Sequence, residues 1–132
     1  MTYGAGYLVA LVTMVVIDLA WLSVMAPRFY KPIMGDIALS GFNLGPAIAF
    51  YLLYPVGIVI FAVAPALKSG SVATALIYGA LFGFFTYATY DLTNQATLRN
   101  WSTQLTLLDV AWGTVLVGAT AAAAFWAAAK LS

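Results

Sequence analysis

Asp18, Asp91 and Asp109 are three of the four acidic residues in the chain, and each stands inside or at the margin of a long apolar run. A carboxylate at the centre of a membrane helix is unfavourable by about 2.5–3.5 kcal/mol on insertion scales, so acids in such runs mark sites of function or of specific pairing. The chemistry open to them is proton transfer. Two carboxyl groups brought into contact would share a proton, and a protonated carboxyl can act as a general acid or a proton carrier. Little else is on offer, because the chain has no Cys, no His and no Glu. That removes disulfides, thiol nucleophiles, Cys/His metal sites, His-ligated haem and Ser–His triads together. The GxxxxGKS phosphate loop is also missing. Neither a metal nor a cofactor is expected.

The neighbours of the acids repeat a pattern. One run reads Asp18-Leu19-Ala20-Trp21 and another reads Asp109-Val110-Ala111-Trp112. Residues three apart share a helix face, so each Asp is paired with its own Trp. The Trp residues read first as packing or interfacial anchors, and second as a stacking wall for a flat or isoprenoid ligand. The similarity hints at an internal duplication, but the two helices run in opposite directions, so a simple tandem repeat of helix pairs would not superimpose them. The third acid opens a polar segment, Tyr90 to Trp101, reading YDLTNQATLRNW. Helical spacing puts Tyr87, Asp91 and Asn94 on one face with Gln95 beside them. Thr89, Thr93 and Thr97 form a second row whose hydroxyls can bond the helix carbonyls. Asn94, Gln95 and Arg99 can satisfy Asp91, and Arg99 can equally reach Asp109. The candidate ligand-binding site is therefore Asp18, Trp21, Tyr90, Asp91, Asn94, Gln95, Arg99, Asp109 and Trp112.

The elements that must position these residues are membrane helices. The chain of 132 residues is 64% hydrophobic and 7% charged, whereas a soluble domain carries about 25% charged residues. Its net charge of +1 offers no basic face to nucleic acid. Four apolar segments are long enough to cross about 30 Å of hydrocarbon at 1.5 Å per residue. They run from Gly4 to Ala26, where Pro27 should end the helix, from Pro46 to Leu67, from Val72 through Asp91 to Leu98, and from Thr103 to Ala129. The first segment lacks a basic leader and carries Asp18, so it reads as an uncleaved helix rather than a signal peptide. Residues Ile33 to Leu39 are a candidate short interfacial helix, and Asp36 a loop acid or cap. The expected fold is all-α, one transmembrane domain over residues 1–132 built as a four-helix bundle in the lipid bilayer.

Four spans place both ends of the chain and the Lys68 turn on one side, here called side A. Side B then holds the Arg28/Lys31 and Arg99 connections. Basic residues number three on side B against two on side A, which leans side B toward the cytoplasm. Asp18 falls roughly 12 Å and Asp109 roughly 9 Å from side B, with Asp91 near the end of its helix. All three acids are thus expected in the same half of the bundle. Trp101 and Trp126 read as belt residues on sides B and A. Pro55 should kink the second span, and with Tyr51, Tyr54 and Gly57 it could open a lateral pocket. Gly79 and Gly83 form a GxxxG packing signal. The Ala-rich run from Gly118 to Ala129 suits tight contact with a helix of this chain or of another subunit.

The Asp-bearing first helix, the YDLTNQATLRNW segment and the LDVAWG stretch from Leu108 to Gly113 resemble an uncharacterised family of small bacterial membrane proteins, a domain of unknown function. The resemblance spans essentially the whole chain. It implies four membrane helices and a bacterial inner membrane, and it carries over no reaction. Three functions stay open on the residues alone. One is a membrane-bound enzyme or binder of a lipid or isoprenoid-like molecule, using the acids on side B. Another is an accessory subunit of a larger membrane complex, its acids clamping helices together. A third is a proton-coupled transporter working as a dimer, a homo-oligomer with Asp18 of both copies facing one pathway.

Overall fold

The computed structural model describes residues 1–35 and 43–131. Among them no strand occurs, and four helical spans are long and apolar enough to cross a membrane: Thr2–Tyr30, Leu44–Ser69, Val72–Thr97 and Thr103–Ala129. Helix α1 (Thr2–Met25) does not stop at Pro27. Pro27 has no N–H to donate, and the chain passes it in a wider π turn, Ala26–Tyr30, that runs on into the short α2 (Lys31–Met34). The interfacial helix expected over Ile33 to Leu39, and Asp36 with it, lie largely outside the described residues.

The second span is α3 (Leu44–Ile58), a π segment (Val59–Val63) and α4 (Ala64–Ser69). Pro55 sits inside α3 and withholds the backbone bond that Tyr51 O would otherwise accept. The two halves of this span then pack on different partners. α3 lies chiefly against α1, whereas the π segment packs on α5 (Val72–Thr97) and on α6 (Thr103–Ala129).

α6 is the centre of the molecule. It packs extensively on α5 and α1 and also meets the second span, and its Ala and Gly positions carry those contacts. A Cβ on Gly83 would stand 2.3 Å from Gly113 O, and one on Gly79 would stand 2.6 Å from the Ala121 Cβ. The GxxxG pair is therefore consumed inside the bundle, where missing side chains let two backbones touch. The Ala run is spent in the same way, with Ala121, Ala124 and Ala128 buried in the core. α1 in turn presents Leu8, Val12, Val16 and Leu19 outward as a lipid-facing stripe.

The ends are arranged as the topology demands. Thr2 Oγ1 donates to Leu131 O at 3.3 Å, joining the first and last helices on side A. On the same side Gly70 closes α4 in the left-handed conformation (φ 71°), and Ala66 O accepts from Gly70 N and Ser71 N before α5 begins. On side B, Ser102 caps α6 by accepting from Leu105 N at 3.1 Å.

Candidate functional site

Antiparallel packing of α1 against α6 brings the two Asp-x-x-Trp units face to face. The Trp21 and Trp112 rings stack with centroids 4.1 Å apart and planes 6° from parallel. Each indole N–H then reaches toward the acid of the opposite helix. Trp112 Nε1 donates to Asp18 Oδ1 at 3.0 Å. Trp21 Nε1 donates to the Tyr30 hydroxyl at 2.8 Å, and that hydroxyl donates to Asp109 Oδ1 at 3.0 Å. One exchange is direct and the other passes through a tyrosine supplied by the π turn.

Asp18, 7% exposed, is also bonded from the second span, where the Tyr51 hydroxyl donates to its Oδ2. Both of its oxygens are therefore occupied by protein donors. Asp91 differs. It is 0% exposed, and neither of its oxygens has a hydrogen bond of acceptable geometry with a described donor. Its carboxyl lies instead close to that of Asp109. Two buried carboxyls in contact share a proton, so each is the other's hydrogen-bond partner.

Tyr51 and Tyr54 reach this region because Pro55 and the π segment direct α3 toward α1. The Tyr54 hydroxyl lies 2.7 Å from Thr86 Oγ1, and its ring stacks on Phe82. The Phe82 ring fits only because Gly57 has no side chain, since a Cβ there would stand 2.7 Å from it. The Tyr87 ring packs in the same way over Gly113. Before Tyr54, α3 and α5 separate. The gap is a partly open cavity of about 640 Å³, lined by residues of α1, α3, α5 and α6. Its α3 wall is apolar, with Leu44, Pro46, Ala47, Ile48 and Phe50, and its α1 and α6 walls carry Asp18, Trp21 and Asp109.

The remaining sequence-derived candidates fall into two groups. Tyr90 lines the cavity, and its ring meets Trp101 edge-on at 5.7 Å. Trp101 is buried beneath it at 9% exposure, so it is folded inward rather than standing in an interfacial belt. Asn94 lies one turn beyond Tyr90 on α5. Gln95 turns away from the acids and bridges α5 to the start of α6. Its amide donates to Thr103 Oγ1 at 2.9 Å and its carbonyl accepts from Thr106 Oγ1 at 2.6 Å. Arg99 is exposed and forms no ion pair with Asp91 or Asp109. Its helix ends at Thr97, and the chain turns through Asn100 (φ 65°) before α6. The threonine row behaves as helical spacing requires, with Thr89, Thr93 and Thr97 each donating to the carbonyl four residues back.

Tyr30 and Tyr51 hold acids of the site, yet sequence spacing did not place them there. Tyr51 carried a partial signal, since it shares a helix with Pro55 and Tyr54. Tyr30 stood among Arg28, Phe29 and Lys31 and read as an interfacial residue.

Neither the curated proteins nor the solved structures contain a match to this chain. A family model described as a predicted membrane protein of unknown function, DUF2177, matches residues 3–126, and the chain belongs to that family.

Proposed function

We propose that this protein holds a single lipid or isoprenoid-like molecule in the cavity between α3 and the other three spans. The observation that carries this reading is the cavity itself, about 640 Å³ with an apolar wall facing Asp18 and Asp109. Small-molecule sites are typically about 300–1,000 Å³, mostly apolar, with a few convergent polar groups. An amphiphile would lay its chain along Ala47, Ile48 and Phe50 and turn its polar end toward α1 and α6. The stacked Trp21–Trp112 pair would stiffen that polar wall. The family match and the four spans support a membrane setting, and the resemblance to small bacterial proteins supports the inner membrane.

The accessory-subunit reading loses its main motive, because the GxxxG pair and the Ala run are occupied within the bundle. The paired-transporter reading needs Asp18 facing a pathway shared by two copies, and both Asp18 oxygens are instead bonded within the chain, to Tyr51 and Trp112.

The test is native mass spectrometry of protein extracted in a mild neutral detergent. A one-to-one adduct of an apolar small molecule is expected to survive exchange into fresh detergent. Ala47→Trp, which fills the cavity from the α3 wall, should remove it while the protein still unfolds cooperatively. An adduct retained equally by that variant would mean that it binds the outer surface, and the proposal would fail.

A further inference from the structure

The hydrogen-bonding inventory of the cavity points to the chemical class of the molecule's polar end, an inference that rests on the cavity being a ligand site. The donors of its inner wall are already committed. Trp112 Nε1 and the Tyr51 hydroxyl serve Asp18, Trp21 Nε1 serves Tyr30, and Tyr30 serves Asp109. The Tyr54 hydroxyl is engaged with Thr86. Acceptors are in surplus. Asp109 lines the cavity, and its carboxyl is met by one neutral donor, Tyr30, and by a second acid, Asp91. Beside it stands Asp91, fully buried, whose oxygens have no donor among the described residues other than the Asp109 carboxyl. Among the described side chains no Lys or Arg lines the cavity, and Arg28 and Arg99 are both exposed.

We infer that the site selects an amphiphile whose head donates hydrogen bonds, a hydroxyl or an ammonium, and discriminates against phosphate and carboxylate heads. A proton shared by Asp91 and Asp109 leaves the pair one negative charge and free acceptor capacity, which a donor entering beside Asp109 would meet. An anionic head in the same place would meet carboxyl groups across a low-dielectric gap, with no Lys or Arg among the described lining residues to offset it. Tyr87 and Tyr90 also line the cavity, and their phenols can either donate or accept, so they do not reverse the sign of the site.

The experiment offers four probes of one chain length to the delipidated full-length protein in neutral detergent: hexadecanol, hexadecylamine, palmitate and hexadecyl phosphate. Occupancy is read by native mass spectrometry at equal mole fraction. The alcohol and the amine should each be retained at least about tenfold better than either anion. Asp109→Asn separates the two favoured heads. It should cost the amine about tenfold, while the alcohol, which needs only an acceptor, changes by less than about threefold. Anions retained as well as the alcohol and the amine would overturn the head-group inference and leave the cavity reading standing. Retention of none of the four would overturn both.

Discussion

Among the described acids Asp18 is the most fully bonded, and its two donors come from different spans. Tyr51 lies 33 residues away in sequence and Trp112 lies 94 away. If this pairing holds the first span against the second, the Tyr51→Phe and Asp18→Asn substitutions should not be additive. A double-mutant cycle measured by reversible unfolding in detergent should give a coupling of about 0.6–1.7 kcal/mol, the range found for polar contacts between membrane helices. A coupling near zero would show that the contact does not contribute to the fold. The pairing of each Asp with a Trp on one face was legible from the three-residue spacing, and so was the polar character of the Tyr90–Trp101 segment. What spacing could not show is which donor serves which acid. Arg99 was the obvious counter-ion on charge alone, but α5 ends before it and the Asn100 turn leaves it exposed. Neutral phenol and indole donors serve Asp18 and Asp109 instead.

At the scale of the element, the α5–α6 pair fixes where everything else can stand. Gly83 and Gly113 are in contact through their backbones, so an added methyl cannot be absorbed by a side-chain rotation. Gly83→Ala should destabilise the protein by about 1–3 kcal/mol or more, as overpacking does. Gly4→Ala, where a Cβ would meet nothing within 4 Å, should change stability by less than about 0.5 kcal/mol. Thermal unfolding of the two variants side by side checks this. The GxxxG spacing announced a close approach, though not its partner, because a small-residue face fits any helix with a matching groove. Pro55 likewise announced a disturbance in the second span. The direction of that disturbance depended on what lay beside it. α3 found α1, the π segment found α5 and α6, and the cavity is the space left where α3 and α5 separate.

For the whole molecule, the even number of spans requires Thr2, Lys68 and Leu131 on one side and Arg28 and Asn100 on the other. The native chain has no Cys, so single cysteines at these positions give a clean labelling test in sealed inverted and right-side-out membrane vesicles. Positions 2, 68 and 131 should react from one face, and positions 28 and 100 from the opposite one. The excess of basic residues on side B predicts that the second set is cytoplasmic. The number of spans followed from the sequence alone, and chain direction gave the expectation of three acids in one half of the bundle. Apolar length sets a span and chain direction sets depth, and both are one-dimensional quantities. Tertiary structure decided how the spans are rotated and tilted. That choice stacks Trp21 on Trp112, gives Asp18 two donors, sets Asp91 against Asp109 and opens a cavity beside Asp109. The reason is physical: a hydrogen bond tolerates an error of a few tenths of an ångström, whereas helix periodicity states only which residues share a face. Three acids in apolar helices could be foreseen from the chain. Their partners could be known only once α6 had settled among the other spans.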